Sequence, residues 1–221
     1  MTVAAATEPA YGTTSDVFDY ALSETAVSFA IFDAGTRDRT GALAAAVALT
    51  AYRAARRAGR DLAEQAHALD EAIGSSGGHG GVSGVIGRFD AGTGRLVHVT
   101  AGRPGPVLLR DGTVTELRTG DPAPPFGRRA DRVPAEEQLR RGDVVVLYTD
   151  GVTGARDDDG RAFGFSGLAR VLEHDVPTRL LPEAARRITR AVLDHANGRP
   201  ADDASVLLLR PFGDRRSSGW F

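Results

Sequence analysis

The 221-residue sequence has no cysteine, which excludes disulfides, thiolate metal sites and cysteine-based catalysis. Lysine is absent too: all 27 basic residues are arginine. Guanidinium groups suit phosphoryl ligands, but an all-arginine basic set does not mark where such a ligand binds. No hydrophobic run is long enough to span a bilayer. The first 14 residues lack a basic start and an apolar stretch, which excludes a secretory signal there. The formal net charge of −2 gives no global attraction to nucleic acid or an anionic membrane. These absences predict a cytoplasmic protein with neither nucleic acid nor membrane as a partner.

The remaining composition is that of a globular domain. Hydrophobic residues make up 42% of the chain and charged residues 25%, enough for one sizeable core. One domain is expected over residues 14–212, between a flexible N-terminal tail at 1–13 and a C-terminal tail at 213–221. The 27 glycines and 11 prolines are dispersed, as many short turns require.

Period and punctuation give an element order. Short strands are expected at 15–20 and 26–32 (AVSFAIF). A charged loop at 35–40 leads to a helix at 41–57, with arginines near its C-terminal dipole. Asp61 caps a second helix reaching about Ile73. A glycine-rich loop at 74–81, containing His79, reads as a flap. Three hairpins are then expected: 82–89 with 95–101, 106–110 with 113–117, and 132–139 with 143–149. Helices follow at 165–172 and 181–195, then a buried strand at 205–209 (SVLLL). Segregated helices and hairpins indicate an α+β fold, not a doubly wound parallel sheet.

Aspartates recur at the ends of these strands. Asp16 and Asp19 lie in the first, Asp33 ends the second, Asp150 follows VVVLYT, and Asp202 and Asp203 precede SVLLL. Central strands carry their ends to a shared rim. Like charges about 4 Å apart cost about 4 kcal/mol per pair at an intermediate dielectric, so such a cluster calls for protons or cations. Oxygen-only donors select Mg²⁺ or Mn²⁺ over zinc, and the five histidines lack ligand spacing. Two hard cations about 3.5–4 Å apart can activate a shared water and clamp a phosphoryl oxygen.

Six segments carry a family resemblance. They are Ser15-Asp16-Val17-Phe18-Asp19, Phe32-Asp33-Ala34-Gly35, Gly41-Ala42-Leu43-Ala44-Ala45, Ala101-Gly102-Arg103-Pro104-Gly105-Pro106, Leu147-Tyr148-Thr149-Asp150-Gly151-Val152-Thr153 and Ala201-Asp202-Asp203-Ala204-Ser205. In this order, over residues 14–211, the chain resembles the SpoIIE-type, RsbU-like branch of the metal-dependent (PPM, type 2C) serine/threonine protein phosphatases. The resemblance implies a four-layer αββα sandwich of two mainly antiparallel sheets flanked by helices. It implies metal ligation by Asp16, Asp33, the Ala34 carbonyl, Asp150 and Asp202, with Asp203 adjoining the last and included in the set. Asp33 and Asp150 would be catalytic through a metal-activated water, and Asp19 would be structural. The implied cofactors are two divalent cations, Mn²⁺ or Mg²⁺. The implied substrate is a phosphorylated protein like an anti-sigma-factor antagonist, in a partner-switching circuit, with a separate sensor or activator protein as a further partner.

The chain departs from the family's pattern after Asp33. The family's loop usually has Gly-His-Gly there, whereas this one reads Ala34-Gly35-Thr36-Arg37-Asp38-Arg39-Thr40-Gly41. Arg37 and Arg39 are the residues there that can face a phosphoryl group. Arg103 replaces a usual histidine, and Gly154 a common glutamate. The altered loop keeps a second reading open, a catalytically weak pseudophosphatase that acts as a protein-binding regulatory module. A two-metal hydrolase of nucleic acid or small phosphodiesters is a third reading, disfavoured by the missing basic stripe.

Overall fold

The computed structural model describes residues 1–10, 14–36, 38–76, 80–102, 104–117, 123–177 and 179–211. In chain order the elements are β1 (Thr2–Glu8), β2 (Asp16–Leu22), β3 (Ala26–Asp33), α1 (Arg39–Arg57), α2 (Leu62–Ser75), β4 (Ser83–Asp90), β5 (Arg95–Ala101), β6 (Val107–Arg110), β7 (Thr113–Glu116), β8 (Ala135–Gln138), β9 (Val144–Tyr148), α3 (Asp150–Gly154), α4 (Gly164–Asp175), α5 (Leu181–His195) and β10 (Ala204–Arg210). The strands form two five-stranded sheets, ordered β1-β10-β9-β6-β7 and β2-β3-β4-β5-β8. Within both sheets these strands pair antiparallel.

Alternation along the central strands builds the layers. In β3, Val27, Phe29 and Ile31 enter a core with Val145 and Leu147 of β9 and Leu207 and Leu209 of β10, between the sheets. Ala30 and Phe32 of β3 face the other way, against α1 and α2 residues such as Tyr52, Leu69 and Ile73. Val144, Val146 and Tyr148 pack outward against Leu168, Leu172, Ile188 and Val192 of α4 and α5. The architecture is therefore the expected four-layer αββα sandwich of the α+β class. No helix among the described residues is long and apolar enough to cross a membrane.

Two expectations are corrected. Residues 1–13 were expected as a flexible tail, yet Thr2–Glu8 pairs along its whole length with β10, from Thr2↔Arg210 to Glu8↔Ala204. The small side chains of β1 carry little strand signal; its backbone completes the ladder at the edge of β10. The expected third hairpin does not form either. β8 pairs with β5 in one sheet, and β9 lies between β10 and β6 in the other. The five buried residues of β9 need a partner on both sides, whereas β8 alternates between half-buried and exposed, as an edge strand does. Arg110 of β6 fixes the crossover. Its guanidinium donates to Asp143 (Nη2–Oδ2 2.7 Å), to Glu137 (3.1 Å) and to the Gln138 carbonyl (2.8 Å).

The expected N-cap at Asp61 is present as a full capping box with Glu64. His79, Arg103, Arg37 and the tail at 213–221 lie outside the described residues.

Candidate metal centre

Each sheet delivers acids to the same rim. In β2 and β3 the register makes Asp16 and Asp33 cross-strand partners at the strand ends. In the other sheet, β9 runs out through Thr149 into Asp150, the first residue of α3, while Asp202 and Asp203 lead into β10. Asp150 is exposed, Asp202 is half-buried, and Asp16, Asp33 and Asp203 are buried.

Hydrogen bonds sew the two sheets together here. Thr149 Oγ1 donates to Asp16 Oδ2 at 2.7 Å and accepts from the Ser205 amide at 3.0 Å. Asp203 reaches back toward the N-terminus, where Oδ1 accepts from Ala10 N at 2.9 Å and Oδ2 from Ser15 N at 3.0 Å. Asp202 Oδ1 accepts from Asp203 N at 2.9 Å. A Cβ on Gly151 would lie 2.0 Å from the Asp203 carbonyl oxygen, so only glycine lets α3 start against that peptide.

The loop after Asp33 is built as a helix start. Gly35, at φ +69, donates its amide to Asp33 Oδ1 at 2.7 Å. Asp38 Oδ1 caps α1 by accepting from Thr40 N and Gly41 N, each at 3.0 Å. Arg39 is exposed in the first turn of α1.

The acids raise one another's proton affinity. Burial pushes the Asp16 carboxyl up to about 8, against the Thr149 hydroxyl, and the Asp33 and Asp203 carboxylates add to the rise. Burial pushes Asp33 up to about 7, against the Gly35 amide, with Asp150 and Asp202 adding repulsion. Asp33 thus feels acids from both sheets. Among the described residues, however, no three carboxylates or imidazoles already form one ligand-ready group.

Asp19 is separate from this rim. Its Oδ1 accepts from Arg53 Nε and Nη2 at 3.0 and 2.6 Å, and its Oδ2 from Arg56 at 3.1 Å, tying β2 to α1. Sequence reasoning missed the Thr149 and Ser205 links and the clamp made by Asp203. The only signal was a hydroxyl residue beside each acidic motif, in Tyr148-Thr149-Asp150 and Asp203-Ala204-Ser205.

The fold has solved relatives. The SiaA-PP2C domain of Pseudomonas aeruginosa aligns with a TM-score of 0.83 at 24% identity, covering 96% of this chain and 86% of that one. The RsbU and RsbW domains of a Mycobacterium tuberculosis protein align at 0.80 and 22%, covering 94% of this chain; this chain spans only 58% of that structure. The catalytic domain of the serine threonine protein phosphatase PstP, in complex with two manganese ions, aligns at 0.63 and 17%, covering 94% and 96%. At these identities the likeness is one of fold. No curated protein sequence matches the chain. The family model for Stage II sporulation protein E matches residues 23–212, and the chain belongs to this SpoIIE family.

Proposed function

We propose that the chain is a metal-dependent serine/threonine protein phosphatase that acts on a phosphorylated regulatory protein of a partner-switching circuit. The observation that carries this reading is Asp33, a buried carboxyl pressed by Asp16 on its own sheet and by Asp150 and Asp202 from the other. Repulsion of this kind is relieved by divalent cations. The donor set is all oxygen, which fits Mn²⁺ or Mg²⁺.

In this reading Asp16, Asp33, Asp150, Asp202 and the Ala34 carbonyl would hold the cations. Bound there, two cations supply Lewis acidity, lowering the pKa of solvent and opposing charge on phosphoryl oxygens. Thr149 orients Asp16 by donating to Oδ2, and the Ser205 hydroxyl is a second hydrogen-bonding neighbour of this carboxyl. Asp203, expected as a ligand, has both oxygens engaged by the Ala10 and Ser15 amides. We assign it to holding the Asp16 and Asp202 backbones in place. Arg39, exposed across the short loop from Asp33, is the candidate to meet the phosphoryl group; Arg37 stays a candidate on sequence grounds alone. The solved relatives support the partner-switching context through the paired RsbU and RsbW domains, and the metal requirement through the manganese complex of PstP.

The test is Mn²⁺-dependent phosphate release, first from an aryl phosphate and then from a phosphoserine protein. The parent should release phosphate, and Asp33→Ala and Asp150→Ala should not while remaining folded. A folded parent that releases none in the presence of Mn²⁺ would reduce the chain to a binding module. A phosphodiester cleaved faster than the phosphoprotein would redirect the reading to another substrate class.

A further inference from the structure

A second concave site lies on the helix-covered face of the β2-β3-β4-β5-β8 sheet, where α1 turns into α2. Its volume is about 770 Å³, within the range of small-molecule sites. It is remote from the acid rim: Ser28, in its wall, is five residues along β3 from Asp33, roughly 17 Å at strand spacing.

Four arginines from separate elements line the cavity: Arg56 of α1, Arg60 of the turn, Arg88 of β4 and Arg95 of β5. Two acids are also present, and both are engaged. Asp61 accepts from Glu64 N at 2.8 Å as the α2 cap, and Glu136 accepts from Arg95 Nε at 2.7 Å. Neither Arg60 nor Arg88 makes an ion pair within about 4 Å among the described residues, although the charge of Arg88 acts on Asp90. Arg56 gives one nitrogen to Asp19, while its buried Nε has no partner. A surplus of guanidinium donors around a hollow suits a planar or tetrahedral oxyanion.

The wall also has an apolar part, Leu62, Ala63, Val97, Val133 and Pro134, beside the neutral polar Ser28 and Gln65, whose Nε2 donates to the Arg60 carbonyl at 2.7 Å. Val133 is 80% exposed, more than any other large hydrophobic side chain among the described residues. Its position is fixed, because neighbouring Arg132 forms a buried ion pair with Asp70 and donates to the Pro124 carbonyl at 2.9 Å. An oxyanion pocket beside a fixed apolar wall matches a ligand with a charged head and a flat body.

We propose that this cavity binds a small phosphate-bearing ligand with an apolar or aromatic body, of the nucleotide class. The arginines take the phosphate, and Val133, Pro134 and Leu62 take the body.

Calorimetric titration of the full chain with AMP tests this, in EDTA so that no metal bridges the nucleotide to the acid rim. Adenosine, inorganic phosphate and a phosphate-free acidic peptide are the controls. AMP should bind in the micromolar range, about tenfold more tightly than adenosine or phosphate. The double variant R60A/R88A should weaken it by about tenfold or more, and Asp33→Asn should leave it unchanged. No AMP binding up to roughly 1 mM, or undiminished binding in R60A/R88A, would overturn the proposal. Loss of binding in Asp33→Asn, or an acidic peptide that binds more tightly than AMP, would overturn it equally.

Discussion

Replacing Asp33 with asparagine should stabilise the metal-free protein, increasingly so as pH rises. The carboxyl is pushed from 3.8 to about 7 by burial and by neighbouring acids. The folded state therefore holds this proton more tightly than the unfolded chain. Stability from that proton is fully present below about pH 4 and is lost as pH rises toward 7. Each pKa unit is worth about 1.4 kcal/mol, so the two units between pH 5 and pH 7 amount to about 2–3 kcal/mol. Asparagine keeps the acceptor for the Gly35 amide, which Asp33 Oδ1 takes at 2.7 Å, and carries no charge to bury. The assay is urea unfolding in EDTA across pH 5–8, for parent and Asp33→Asn. His98 works in the opposite direction: burial pushes it down to about 4, so its stability is lost as pH falls from 6.5. That contribution is common to both proteins and cancels in the difference. The advantage of asparagine should grow by about 2–3 kcal/mol over the range, and Mn²⁺ should restore the parent alone. A difference flat with pH, or an Asp33→Asn protein less stable than the parent at pH 8, would refute the picture of a charge-strained rim.

Other outcomes follow from the same geometry. Asp203→Ala removes two bonds to a charged acceptor and leaves the buried Ser15 amide unpaired. It should cost about 3–5 kcal/mol in chemical denaturation, in contrast to the gain at Asp33. Thr149→Val keeps the volume but strips Asp16 of one of its two hydroxyl donors and the Ser205 amide of its acceptor. It should cost about 1–3 kcal/mol and move the pH midpoint of Mn²⁺ binding upward, because the larger of the two hydrogen bonds holding the Asp16 pKa down is gone. Arg110→Ala leaves Asp143 buried without its cation and should cost about 3–5 kcal/mol by thermal or urea unfolding.

Much of this fold was legible because its central strands are written in long apolar runs. Residues 26–32 and 144–148 could only be interior strands, and each ends beside an acid, so the rim could be inferred before any coordinates. The N-terminal strand was not legible. Its Ala4-Ala5-Ala6 segment has small side chains, and its pairing comes from the open edge of β10. The crossover between β8 and β9 misled for a different reason. Arg140-Arg141-Gly142 has hairpin composition, yet the contacts of Arg110 and the burial of β9 decide which sheet each strand joins. Asp202 and Asp203 are adjacent and chemically identical in sequence. Only the direction of the side chain separates them, and Asp203 points back at Ala10 and Ser15. Asp38 read as one charge among several in a loop, but its oxygen starts α1.

The central claim is that acids far apart in the chain grip divalent cations at one rim. Equilibrium Mn²⁺ titration of the full chain at neutral pH, with proton release followed in the same experiment, tests it most directly. The account predicts uptake of two Mn²⁺ per chain with release of protons from Asp16 and Asp33, and loss of at least one site in Asp33→Asn. A folded protein that takes up no Mn²⁺ at millimolar concentration, or one that Asp33→Asn leaves unchanged, would contradict it.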